Sequence, residues 1–141
     1  MNKEELFRDL KETTYCRLMP SKLGGVGVFA IKRIPKGTWP FKTCKPFSYF
    51  RIPKEEIKAL PKAIGEYVMD MFACDDKYYF VSRQGMNNLD ISYFVNHSKK
   101  PNLSVKYEPE NFYTLRDIKP GEELTVDYQE YSEEDCNFRK T

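Results

Sequence analysis

Histidine and closely spaced cysteines are what this chain has least of. It carries one histidine, His97, and four cysteines, Cys16, Cys44, Cys74 and Cys136, with no C-x-x-C pair among them. A structural zinc site usually takes four Cys or His ligands with at least one close pair, so no metal is expected. The first residues, MNKEELFRDLKE, are too polar for a secretory segment, which argues against a disulfide framework. The thiols therefore read as four reduced, mostly buried side chains. Long apolar runs are missing too: none approaches the ~20 residues that span a bilayer, so no membrane is expected. Charge of one sign is also lacking. Against 23 Lys+Arg stand 21 Asp+Glu, and a net charge of +2 is too small a field to draw nucleic acid directly. Repeats, low-complexity tracts and linkers are absent. These absences leave a single domain over 1–141, placed inside the cell, in cytoplasm or nucleus.

What is present is a globular composition, 40% apolar and 31% charged, with an unusual 15% of aromatics. Asn2 followed by Glu5 reads as a capping box, and Leu6, Phe7 and Leu10 share one face of a short helix within 1–13 that should pack. From Thr14 the pattern turns to strands, with Val26 to Ile31 apolar and bounded by glycine. Ile34-Pro35-Lys36-Gly37 has proline and glycine where a turn wants them, and Pro40 and Pro46 confine the strands near them to edges or short pieces. A helical insert is expected at about 53–72, because Pro53 and Pro61 suit first helical positions and Ile64, Tyr67, Val68 and Met71 recur at helical spacing. The charged run at 51–58 reads as a solvated face. Strands return at Tyr78 to Ser82, Leu103 to Tyr107, Asn111 to Arg116 and Glu123 to Tyr128. Tyr107-Glu108-Pro109-Glu110 makes a hairpin turn between two of them, and Lys119-Pro120-Gly121-Glu122 a type II turn. The fold class is mainly β, a β-rich α+β arrangement with a short helical insert.

Three segments carry chemistry. Gly24-Gly25-Val26-Gly27-Val28-Phe29-Ala30 is glycine-rich but feeds a strand, whereas a dinucleotide fingerprint must open a helix. No Gly-Lys-Ser/Thr follows to make a P-loop. It can be a simple hairpin turn, or a place where bare backbone approaches a ligand. Phe94-Val95-Asn96-His97-Ser98-Lys99-Lys100-Pro101-Asn102 favours tight turns. Its lone histidine can be structural, and a Ser98–His97 dyad is a poor reading because adjacent residues rarely face each other. Gly121-Glu122-Glu123-Leu124-Thr125-Val126-Asp127-Tyr128 is a strand ending in an acid and a phenol, and by itself reads as an edge strand.

In this order the three segments resemble the SET-domain family of protein lysine methyltransferases. Gly25 to Ala30 is similar to the family's first motif, Asn96-His97-Ser98 with Pro101-Asn102 to its N-H-S-x-x-P-N motif, and Glu123-Leu124 through Asp127-Tyr128 to its E-L-x-x-D-Y motif. The resemblance spans roughly 14–131, leaving 132–141 as a C-terminal tail. It implies small curved sheets around a pseudoknot, and S-adenosylmethionine as cofactor. Gly25, Val26 and Gly27, with Asn96 and His97, would hold that cofactor, with glycine at 25 and 27 because a side chain would displace the cofactor's amino-acid end. Tyr128 would be the catalytic phenol, aligning the lysine and not taking its proton. Tyr131 and Phe138 would close the lysine channel, and Tyr131 would also touch the cofactor.

The chain departs from the family's pattern in three ways. Tyr93 stands where many members have Arg, and Lys99 where many have Cys. No cysteine-rich flank is present, so the resemblance is to a minimal SET domain without zinc. It implies a protein or peptide substrate presenting a lysine, a histone tail among the candidates, and a homodimer covering otherwise exposed channel walls. The alternative is a catalytically silent SET-fold module that binds a peptide without methylating it.

Overall fold

The protein is represented by a computed structural model, in which residues 2–42, 48–106 and 111–132 are described. Helix α1 (Lys3–Thr13) opens on the expected capping box. The Asn2 side chain accepts from Glu5 N at 2.8 Å, and the Glu5 carboxylate accepts from Asn2 N at 3.1 Å. The apolar face of this helix does not pack as expected: Leu6, Phe7 and Leu10 are 44%, 51% and 49% exposed. Periodicity aligns three side chains on one face, but it cannot bring a second element over them.

The strands are β1 (Cys16–Pro20), β2 (Val26–Ala30) and β3 (Tyr49–Pro53), followed by helices α2 (Lys54–Lys58) and α3 (Lys62–Met71). Then come β4 (Tyr78–Ser82), β5 (Asn96–His97), β6 (Leu103–Lys106), β7 (Asn111–Thr114) and β8 (Glu123–Val126), with 3-10 turns at Ile91–Phe94 and Tyr128–Glu130. The fold is mainly β, as the sequence indicates. One sheet has four strands in the order β1-β2-β8-β5, and the antiparallel pairs β3-β4 and β6-β7 stand as separate two-stranded sheets. The last strands are shorter than expected. The 111 strand stops at Thr114, and β8 stops at Val126, because the chain turns at Tyr128. Tyr107 to Glu110, the expected hairpin turn, and Pro46 lie outside the described residues.

Turn chemistry sets the ends of these strands. Glu122 N donates to Lys119 O at 3.1 Å with Gly121 at φ 89°, the positive φ that a type II turn requires at its third position. Ile34 and Ile118, each fully buried, exchange backbone hydrogen bonds at 2.9 and 2.8 Å across an antiparallel bridge. They join Val28, Leu103, Leu124 and Val126 in the main core, all at 0% exposure. Each such side chain contributes roughly 1.5–3 kcal/mol by leaving water.

A second core belongs to the helical insert, where Ile57, Val68, Met71, Phe72 and Tyr79 are buried together. Pro53 and Pro61 sit one position earlier than expected, at the N-caps, with helical φ but extended ψ of 140° and 137°. The fixed proline φ suits both positions, and ψ separates them. Ile64 and Tyr67 are 50% and 45% exposed, so only part of the apolar stripe of α3 faces the core. The run at 51–58 is not wholly solvated either, since Ile57 is buried. Phe94 packs against both cores, and Tyr93 meets Phe72 edge-on at 5.5 Å between ring centroids. Tyr93 thus packs into the core of the insert.

The expectation of four reduced thiols needs correction. Cys74, 1% exposed, is disulfide-bonded, and its partner lies outside the described residues, as do Cys44 and Cys136 themselves. Spacing along the chain says nothing of which sulfurs the fold brings together. Cys16 is free, and burial pushes its thiol up to about 12. Among the described residues no helix is long and apolar enough to cross a membrane.

The feature that positions the site is a crossing. β8 is shared, its residues Glu123 and Leu124 pairing antiparallel with β2 and its residues Thr125 and Val126 parallel with β5. Parallel pairing by a two-residue strand is weak alone. Asn102, 4% exposed, reinforces it: its Oδ1 accepts from Thr125 N at 2.8 Å and its Nδ2 donates to Glu123 O at 2.9 Å. An amide side chain carries the donor and acceptor that two buried backbone groups need. Asn102→Ala is expected to lower stability by about 2–3 kcal/mol, because it strands two buried backbone groups. Urea unfolding measures this, and a loss below about 0.5 kcal/mol would mean the clamp is not needed.

Candidate functional site

Asp127 ends β8 by capping the next turn, its carboxylate accepting from Gln129 N at 3.0 Å. The chain therefore bends at Tyr128, which is 7% exposed. That residue is gripped at both ends. Its backbone N–H donates to His97 Nδ1 at 3.0 Å, and its hydroxyl donates to Val95 O at 2.7 Å. Val95 and His97 flank Asn96, so three consecutive residues orient both the backbone and the phenol. His97 accepts at Nδ1, which places the proton of the neutral ring on Nε2. Asp127 Oδ1 lies 3.7 Å from the same Nδ1, and the His97 and Tyr128 rings are 5.2 Å apart.

Tyr131 packs beside Tyr128 with centroids 6.2 Å apart, then against Phe112 at 5.8 Å, which in turn meets Phe41 at 6.1 Å. This row of rings runs from Tyr128 into the main core, where Phe41 is buried. Phe138 lies outside the described residues. Beyond Tyr131, Ser132 Oγ accepts from Cys74 N at 3.1 Å and ties the end of the described chain to the insert. Between them opens a cleft of about 450 Å³ lined by Cys74, Asp75, Phe80 and Gln129 to Ser132. Asp75 gives it negative charge. The backbone N–H groups of Lys77 and Tyr78, at 2.8 and 2.7 Å, hold its carboxyl below the usual range, with Arg51 adding attraction at 3.7 Å.

The glycine segment meets the crossing from the other side. Ser21 N donates to Gly25 O at 2.9 Å and closes a turn in which Gly24 and Gly25 have φ of 119° and 56°. A Cβ at either would meet nothing within 4 Å, so this backbone is bare and open. Val26 O accepts from Asn96 Nδ2 at 3.0 Å, which links the turn to β5. Gly27 faces the protein. A Cβ there would overlap the Glu123 carboxylate and come to 3.0 Å from Asn96 Nδ2. Glycine at 27 thus makes room for a side chain of β8, whereas the resemblance alone implies that it makes room for a ligand.

Val26 is thus joined to Asn96 by a hydrogen bond, and His97, next along β5, holds Tyr128, with Tyr131 packed beside that phenol. Sequence reasoning missed the parts that act across long separations: Glu123, Val95, Asn102 as a clamp, and the rings of Phe41 and Phe112. Glu123 had a signal, since it opens the E-L-x-x-D-Y segment. The two phenylalanines had none.

Residues 25–129 match the family model of the SET domain. Over 80 residues the chain is 39% identical to the histone-lysine N-methyltransferase Su(var)3-9 of Drosophila melanogaster; the match spans 50% of this chain and 12% of that protein. The solved structure of a candidate histone methyltransferase of Plasmodium falciparum superposes with a TM-score of 0.53 at 20% identity, covering 82% of this chain and 93% of that one. That likeness is one of fold.

The open turn yields a direct test. Gly25→Ala is expected to cost about 1–2 kcal/mol purely from the left-handed backbone, since nothing stands where its methyl would go. Thermal unfolding measures it, and unchanged stability would mean that residue 25 does not hold a positive φ.

Proposed function

The chain belongs to the SET-domain family, and from that premise we propose that it is an S-adenosylmethionine-dependent methyltransferase acting on the ε-amine of a lysine in a protein. The observation that carries this reading is the double grip on Tyr128, beside an open glycine turn held to the same crossing. The residues present fit the cofactor. Bare backbone at Gly24 and Gly25 leaves room for its amino-acid end, and the partly exposed ring of His97 follows Asn96, which is bonded to Val26 O, on β5. Gly25, Val26, Asn96 and His97 would hold it, with Tyr131 covering it, while Gly27 would act through the packing behind the turn. When bound, S-adenosylmethionine supplies a methyl carbon on a cationic sulfur, open to in-line displacement by an amine.

The chain's own part is to deliver a neutral amine in line. Lysine has an ordinary pKa near 10.4, so fewer than about one in a thousand is neutral at pH 7. The rings of Tyr128, Tyr131 and Phe112 disfavour the ammonium by excluding water. Tyr128 cannot serve as the base while its own proton is committed to Val95 O. Its oxygen keeps lone pairs and can accept an N–H of the amine, which aligns the nitrogen. His97 Nδ1 is occupied by Tyr128 N, so the lysine proton leaves to water. Asp75, ionised in the cleft beside Tyr131, favours a basic stretch of substrate around the lysine, and a histone tail is the first candidate.

The test is transfer of label from S-adenosylmethionine to histones or lysine peptides. Tyr128→Phe should keep cofactor affinity and lose about 10²–10³ in turnover, as when one positioned hydrogen-bonding group is removed from a site. It should also lose about 1 kcal/mol of stability with the bond to Val95 O, so the assay belongs well below its unfolding temperature. Asn96→Ala should fail in cofactor binding. A wild-type chain that binds cofactor but labels no protein would favour the silent peptide-binding module, and a Tyr128→Phe variant at wild-type rate would remove the phenol from the reaction centre.

A further inference from the structure

Glu123 has a place in the site that its motif does not explain. Its half-buried carboxylate accepts from Ser21 Oγ at 2.7 Å on one oxygen and from Asn96 Nδ2 at 2.8 Å on the other. Ser21 is the residue whose backbone N–H closes the turn onto Gly25, and its hydroxyl oxygen also accepts from Leu23 N at 3.0 Å. Asn96, fully buried, spends the same nitrogen on Val26 O at 3.0 Å. The carboxylate fills the space that a side chain on Gly27 would need. One group thus touches the start of the glycine turn, the strand behind it and the crossing strand.

We infer that Glu123 is the positioning residue of the glycine turn, holding Ser21 to Gly27 against Asn96 in the conformation that receives the cofactor. The inference rests on reading that turn as a cofactor site. Two carboxylate oxygens are needed because two donors, a hydroxyl and an amide, approach from different elements. Glutamine can replace this arrangement in part. Its carbonyl oxygen accepts from Asn96, and its amide donates to the Ser21 hydroxyl, so geometry survives while charge is lost. Alanine releases both partners and leaves a hole beside Gly27.

These differences make a test with two readouts, neither of which needs turnover. The first is a double-mutant cycle in urea unfolding. Gly27→Ala should lower the midpoint strongly in the wild-type background and clearly less in the Glu123→Ala background, where its methyl enters vacated space. Additive effects would overturn the contact. The second is calorimetric affinity for S-adenosylmethionine. Glu123→Ala should bind about tenfold or more weakly while still folded, and Glu123→Gln should recover most of that loss. Wild-type affinity in Glu123→Ala, or no recovery by glutamine, would overturn the positioning role. If the wild-type chain binds no S-adenosylmethionine, the function proposed above fails along with this role, and the unfolding cycle still decides whether Glu123 occupies the space behind Gly27.

Discussion

Two buried backbone groups of β8, the N–H of Thr125 and the carbonyl of Glu123, find their partners in the side chain of Asn102. Without that amide the strand would be a four-residue segment paired for two residues on each of two short neighbours. Buried backbone groups left without partners cost about as much as the strand could gain from pairing. The clamp lets β8 serve β2 and β5 at once. Everything proposed for the site depends on that double service, because β2 brings the glycine turn and β5 brings Asn96 and His97.

The two sides of the crossing are built by the same device, a side chain that satisfies backbone from another strand. Behind Tyr128, His97 takes the backbone N–H and Val95 takes the phenol proton. Behind the glycine turn, Asn96 takes Val26 O while Glu123 holds both Asn96 and Ser21. A rigid phenol that can only accept and a bare, fixed turn are what methyl transfer to an amine asks of a protein: alignment, and little acid–base chemistry. The aromatic row from Tyr131 through Phe112 to Phe41 ties this end of the chain to the main core.

Much of this was legible in the sequence wherever chemistry is local. The capping box at Asn2 and Glu5 and the Pro120-Gly121 turn involve neighbours within three residues, and each formed as read. The ordered motifs carried the family and pointed to Asn96, His97 and Tyr128. What was not legible depends on residues far apart in the chain. Gly27 and Glu123 are almost a hundred positions apart, so the glycine reads as room for a ligand until the carboxylate behind it is seen. Leu6 and Ile64 have helical spacing, yet spacing cannot say whether a partner element covers a face, and both stay exposed. Cys74 reads as a buried thiol for the same reason, because its bonding partner is set by the fold.

The central claim is that the glycine turn, Asn96–His97 and Tyr128 form one site for S-adenosylmethionine. Titrating the ¹⁵N-labelled protein with that cofactor and following backbone amide resonances tests it without any substrate. The expected result is saturable shifts at Gly24, Gly25, Val26, Asn96, His97 and Tyr128, with α1 and the exposed side of α3 unmoved. Shifts confined to those helices, or none at millimolar cofactor, would contradict it.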